Sequence, residues 1–213
     1  MWNRSFSPLR RGVSSASVAA ALGLSLGWAA LTAPAQAQTA AASAQKLVPA
    51  QSSVAFVIKQ MGVPVEGQFR KFDAQVQFDP TKLATSRIGF TVDVGSATMG
   101  SKEADAEMPK AVWFNAPKFP QAVFQSSSIK ALGGGKFEVA GKLSIKGNSR
   151  DVVVPVTLAQ TGSGAALATT ATGTLAIARL AFKVGEDEWA DTSMVADEVQ
   201  VKFKLALTGV PKI

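Results

Sequence analysis

Three carboxylates, Glu103, Asp105 and Glu107, fall within one turn and a half of chain at the head of the segment EADAEMPKAVWFNAPKFPQAVF, which runs to Phe124. Carboxylates so placed could divide acid and base roles in a hydrolysis, or hold a cation. A second acidic run, Glu186 to Glu188, lacks the alternating oxygen ligands and central glycine of a calcium loop. The chain has no histidine and no cysteine. That removes His-based acid–base catalysis, the Ser-His-Asp triad, thiolate nucleophiles, disulfides and most zinc sites. Alternate carboxylates on a short helix usually form its solvated face. A carboxylate-based hydrolase is therefore kept as the alternative reading.

The spacing around these acids predicts a short helical cap segment near 101–114. Ser101 is placed to cap the helix, and acids in the first turn suit the positive end of its dipole. Pro109 keeps the helix short or kinked. Ala104 and Met108 share one face and Glu103 and Glu107 another, so the acids turn to solvent while Met108 turns inward. Trp113 and Phe114 follow, and Asn115 to Pro120 lead back toward a strand near Ala122. One helical crossover in an otherwise strand-rich chain reads as a lid over a barrel mouth, with adaptable Met99 and Met108 beneath it.

Period-two alternation covers most of the remaining chain. Ala74, Val76 and Phe78 alternate with polar residues, as do Ile88, Phe90, Val92 and Val94, then Phe137, Val139, Leu143 and Ile145. The last strand sets Val199, Val201, Phe203, Leu205 and Leu207 against Glu198, Gln200, Lys202 and Lys204. Each reads as a strand with one dry and one wet face. Weaker candidates are SSVAFVIK, VPVEGQFRKF, AVFQSSSIK, VVVPVTLA and the Ala/Thr-rich run ending at Ile177. Turns fall at Asp79-Pro80, Gly133 to Gly135, Gly147-Asn148 and Gly162 to Gly164.

Eight or more such strands predict an all-β antiparallel fold, and closure into a barrel buries every dry face while removing free edges. No tyrosine is present for an aromatic girdle and the outward set is rich in Lys and Glu, so the barrel is wet outside and apolar inside. The inward positions mix Phe56, Phe69, Phe78, Phe90, Phe124, Phe137 and Phe203 with Gly67, Ala74, Ala122, Gly141 and Ala176. Pattern alone allows a solid core, as in a stress-related structural protein, or a cavity holding one ligand. The lid favours the cavity.

Ahead of the barrel, Arg4, Arg10 and Arg11 precede the apolar run Val18 to Leu31 and the small residues Ala35 and Ala37. This is the pattern of a secretory signal peptide, with cleavage expected after Ala37 and a linker over 38–46. The domain is expected over 47–213. Loss of three arginines lowers the formal charge from +7 to +4. Lysines spread along strands give no basic, aromatic-studded patch, so nucleic acid is not an expected partner.

The segments VPAQSSVAFVIKQMG, VEGQFRKFDAQVQFDP, WFNAPKFPQAVF, FEVAGKLSIKGNSRDVVVPV and RLAFKVGEDEW, in that order from about Leu47 to Leu207, resemble the YceI-like, polyisoprenoid-binding family of exported proteins. The resemblance implies a lipocalin-like, eight-stranded antiparallel β-barrel whose cavity takes an isoprenoid or other long-chain lipid, with no cofactor and no catalysis. It also implies a periplasmic location, with membrane contact only for ligand exchange; a homodimer is allowed. Where the family often carries His, this chain has Gln51 and Gln60, which hydrogen-bond but do not titrate. The ligand-binding residues expected from the strands are Phe56, Ile58, Phe69, Phe78, Phe90, Val92, Phe124 and Phe203. Met99, Met108, Trp113 and Phe114 are expected from the lid, and Phe182 and Trp189 from the loop before the last strand. Arg179 is expected either to pair with Glu186 or Asp187 or to touch a head group.

Overall fold

Strands with one dry face must curl around a shared interior, and the structure, a computed structural model that describes residues 45–213, shows how. In chain order the elements are β1 (Lys46–Leu47), β2 (Ser53–Gln60), β3 (Val63–Phe69), β4 (Phe72–Gln77), β5 (Arg87–Asp93) and β6 (Ala97–Thr98). The helix α1 (Lys102–Glu107) follows, then β7 (Gln121–Gly133), β8 (Lys136–Ile145), β9 (Asn148–Thr161), β10 (Ala168–Ala178) and β11 (Val195–Thr208). The expected leader and nearly all of the linker lie outside the described residues.

Among the described residues every pairing is antiparallel, in the order β4-β5-β7-β8-β9-β10-β11-β2-β3-β6, with β1 added on β11. The strands β3 and β4 stand far apart in that order yet are separated in the chain only by Arg70 and Lys71. They form one bent strand whose first half pairs with β2 and whose second half pairs with β5. Counted so, eight long strands make a closed ring. Eleven are distinct because this bend interrupts one of them and because β1 and β6 are two-residue pairings.

The bend is stitched from the next layer of chain. Ser96 accepts from the Arg70 N–H through its carbonyl at 3.2 Å and from the Lys71 N–H through its hydroxyl at 3.0 Å. Ahead of β1, the Gln45 side chain imitates a strand: its amide donates to the Phe78 carbonyl at 2.6 Å and accepts from the Phe78 N–H at 2.9 Å. A shallow depression of about 400 Å³ beside the bend, lined by Ser52, Gln68, Arg70 and Lys71, opens to solvent.

Register explains why so many phenylalanines leave room in the middle. Phe56 sits directly across from Gly67, and Phe203 across from Gly173. A Cβ built on Gly67 would lie 2.2 Å from the Phe56 ring, and one on Gly173 would lie 2.4 Å from the Phe203 ring. The rings are therefore laid along the barrel wall over the bare glycine backbone. Gly141 receives the ring of its diagonal neighbour Phe124, 2.6 Å from where a Cβ would stand. One inward assignment is corrected: Ala176 is exposed, because the inward set of β10 is Ala171, Gly173, Leu175 and Ile177.

Candidate functional site

The ring encloses a cavity of about 250 Å³ lined by apolar side chains, with Gln60 and Arg179 the only polar residues lining it among the described residues. At ~30 Å³ per water in the liquid this is space for about eight waters, or a chain of roughly as many methylene-sized groups. Two buried clusters border it. One, at the far end, is built on Phe78, Ile129, Phe137, Val139 and Leu207. The other, at the lidded end, is built on Phe56, Ile58, Trp113, Ile145, Phe182 and Val195.

Phe56, Ile58, Phe69, Phe78, Phe90, Val92, Phe124 and Phe203 all line the cavity, as do Met108, Trp113, Phe114 and Phe182. Met99 and Trp189 do not. Met99 packs against the lidded cluster from outside, its backbone N–H given to Asp105 at 2.6 Å. Trp189 lies behind Trp113, ring centroids 5.4 Å apart, so one tryptophan screens the other from the lumen. Residues of β8, β9 and β10 such as Val139, Ile145, Val154 and Leu175 also line it. Their inward alternation was the signal that could have added them.

The lid is anchored by the residues that suggested chemistry. The Ser101 hydroxyl accepts from the Ala104 N–H at 3.4 Å and donates to Glu103 at 2.7 Å. Glu107 pairs with Lys110. Asp105 departs from the expectation of a solvated face: it turns back and accepts from the Thr98 hydroxyl and the Met99 N–H, both at 2.6 Å. Thr98, only 4% exposed, also receives Arg70 at 3.3 Å, which ties the helix to the bent strand. The Thr98 hydroxyl, the Met99 N–H and the charge of Arg70 hold the Asp105 carboxyl below its ordinary range, and the Ser101 hydroxyl does the same for Glu103. Carboxyls tuned downward are poor proton donors at neutral pH.

The loop from Arg179 to Met194 forms the other half of the lid. Gly185 and Glu186 donate their N–H groups to the Val112 carbonyl at 2.8 and 2.9 Å, joining the two halves. Arg179 is 2% exposed, and its expected acidic partner is replaced by backbone. Its five N–H groups go to the carbonyls of Ala196 (3.0 Å), Val184 (2.9 Å), Gly185 (2.9 Å), Trp189 (2.5 Å) and Val195 (2.7 Å). Burial lowers its pKa, with nearby Asp197 opposing the shift. The guanidinium stacks at 5.9 Å from the Trp113 ring centre.

Glu186, one of the acids considered for Arg179, pairs instead with Lys146 at 2.8 Å, which holds its carboxyl below the usual range. Lys146 also donates to the Lys183 carbonyl at 2.7 Å, and Asn148 donates to Phe182 at 3.1 Å. Thus IKGN of the β8–β9 turn and RLAFKVGEDEW meet as a latch. Lys146 and Gly147 both have positive φ, 49° and 75°, the geometry of a two-residue hairpin turn.

Eight staves, a stitched bend, an apolar lumen and a two-part lid define the class: a capped antiparallel barrel with an internal apolar chamber. The chain belongs to the YceI-like family, whose domain pattern matches residues 45–207. It is 49% identical to Burkholderia cenocepacia BcnA, whose crystal structure aligns with a TM-score of 0.71 over 75% of this chain and 98% of that one. A polyisoprenoid binding domain from Saccharophagus degradans shares the fold at 14% identity, with a TM-score of 0.62 over 79% of this chain and 99% of that one. A UPF0312 protein of Vibrio cholerae is 30% identical over 106 residues, 49% of this chain and 56% of that protein. The chain thus spans about half the length of the curated relatives it matches.

Proposed function

We propose that this protein binds and carries a polyisoprenoid or similar long apolar chain in the barrel cavity, and that it works in the periplasm after removal of a signal peptide. The observation that carries the reading is the continuous apolar lumen, broken among the described residues only by Gln60 and Arg179. Binding there needs no reacting group. Burial yields about 0.8 kcal/mol per methylene-sized group, so one isoprene unit contributes on the order of 3–4 kcal/mol gross. Three or four units exceed the ~4 kcal/mol or more that association costs. Exported likeness and the leader pattern at Arg4 to Ala37 support the location.

A binding role is also favoured over hydrolysis by the acids themselves. Glu103, Asp105 and Glu186 are each spent on a named structural partner.

The test is purification of the exported protein followed by intact mass, organic extraction and lipid mass spectrometry. We expect a polypeptide beginning at Gln38 and a prenyl or other long-chain lipid in the extract. Repeated recovery of empty protein that also fails to take up an added prenyl alcohol of about three or four isoprene units would defeat the reading.

A further inference from the structure

We propose that the end of the barrel opposite the lid docks on an anionic lipid bilayer, with cations around its rim and Leu132 as an apolar anchor. The lid then faces away from the membrane. This stands apart from the carrier reading, since the outer surface meets a bilayer whether or not the cavity is filled.

Topology decides which residues share this end. Neighbouring strands run antiparallel, so the β4–β5 loop, the β7–β8 hairpin tip, the β9–β10 loop, the pairing of β1 with the end of β11, and residues 209–213 all lie there. Local contacts tie several of them together. Leu158 donates its N–H to the Gly135 carbonyl at 2.7 Å, and Ile213 donates its own to the Gln160 side chain at 3.0 Å. The Ile213 side chain lies 3.5 Å from where a Cβ on Gly135 would stand.

Charge is shared unevenly between the two ends. Lys46, Lys82, Arg87, Lys130, Lys136 and Lys212 are all exposed at the unlidded end, six cations against the two carboxylates Asp79 and Glu138, a net +4. Asp79 accepts from the Thr81 hydroxyl at 2.7 Å, and Glu138 approaches Lys130 only to 3.8 Å. Arg87 donates to the carbonyls of Ala84 and Ser86, neutral partners that leave its charge uncancelled. The exposed residues 161–166 add no charge. The lid segments 101–120 and 179–194 carry seven carboxylates against five cations, a net −2. An anionic surface therefore attracts one end and repels the other.

The same end offers something to insert. Leu132 is 52% exposed between Lys130 and Lys136 on one hairpin, next to Gly133, Gly134 and Gly135, all at positive φ. Ile213, 40% exposed, lies against that turn. An apolar tip flanked by lysines suits the boundary of a bilayer, where the tip enters the acyl region and the ammonium groups meet lipid phosphates. Three exposed apolar residues at the lidded end, Met61, Val63 and Met194, have the opposite setting. Met194 donates its N–H to the carbonyl of Asp191 on the acidic loop and accepts from Met61.

The test sediments the exported protein with vesicles of phosphatidylcholine, alone or with about one-third phosphatidylglycerol, at low salt and at about 0.5 M salt. Binding is expected on the anionic vesicles at low salt, and to be about tenfold weaker or more without the anionic lipid or in high salt. Lys130→Gln, Lys136→Gln and Lys212→Gln together should weaken it about a hundredfold, near fivefold per charge. Leu132→Ser should weaken it about tenfold and keep the salt dependence. Met61→Asn with Met194→Gln should leave it unchanged, and brominated lipid should not quench Trp113 and Trp189, both in the lid. Equal binding to both vesicle types, or binding to neither, overturns the docking and leaves the carrier reading standing. Quenched lid tryptophans, with binding lost in the Met61 and Met194 variant, overturn the orientation. Binding to polyglutamate but not to vesicles, lost in the triple variant, assigns the basic end to an acidic protein and overturns the lipid surface.

Discussion

Five carbonyl oxygens surround the Arg179 guanidinium, all of them from the stretch Val184 to Ala196. Three belong to the loop, which has no strand to satisfy them, and two to the start of β11, where its register with β2 shifts. A planar fork with five donors satisfies all of them in one stroke. Gly185 fits against it at φ +79°, where a Cβ would stand 2.2 Å from Nη1. Arg179→Lys offers three donors for five acceptors. We expect it to cost about 3 kcal/mol in urea denaturation, from buried carbonyls left unpaired. A loss under about 0.5 kcal/mol, the range of an ordinary surface change, would show that the carbonyl cage is not what holds the loop.

At the scale of elements, the lid packs Met108, Trp113, Phe182 and Val184 inward, and charge-assisted hydrogen bonds dock its outer side. The helix α1 has six residues, too few to stand alone. Asp105 docks it on Thr98 and Met99, and Glu186 docks the second half on Lys146. Both carboxyls titrate lower in the folded chain than unfolded. Their contribution is therefore complete above the unfolded values of about 3.9 for Asp and 4.3 for Glu, and is lost as pH falls through the folded ones. Hydrogen exchange corrected for intrinsic rates should show residues 97–108 and 179–195 unchanged from pH 7 to 5 and opening below about pH 4, ahead of the barrel strands. Asp105→Asn should open the first of these segments at pH 7. Simultaneous opening of lid and barrel, with the variant unaffected, would refute the docking role.

Across the whole molecule, the open lumen is the quantity on which binding depends. Ala171 is buried on β10 and borders it. In Ala171→Phe the added ring has space to enter, so we expect the melting temperature to stay within a few degrees, as for a change costing under ~1.5 kcal/mol. Lipid affinity should fall by tenfold or more as the chain loses its berth. Undiminished lipid recovery from a folded variant would mean that the ligand is held elsewhere.

Much of this architecture was readable in advance because it depends on local rules. Alternation in DAQVQFD, KFEVAGKLSIK and EVQVKFKLAL determines which face of each strand is dry, and enough one-sided strands must close. Ser101 as a cap and Met108 as an inward residue follow from helical spacing alone, and missing His and Cys remove whole classes of chemistry. What the tertiary structure decided depends on neighbours remote in sequence. Ala176 looked inward until the register of β10 against β11 placed it outside. Trp189 was screened by Trp113, Asp105 turned back to Thr98, and Arg179 took carbonyls in place of an acid. The empty middle belongs to the same group. A cavity is a small difference between the volume a ring of strands encloses and the volume its side chains fill, and that difference rests on cross-strand placements such as Phe56 over Gly67.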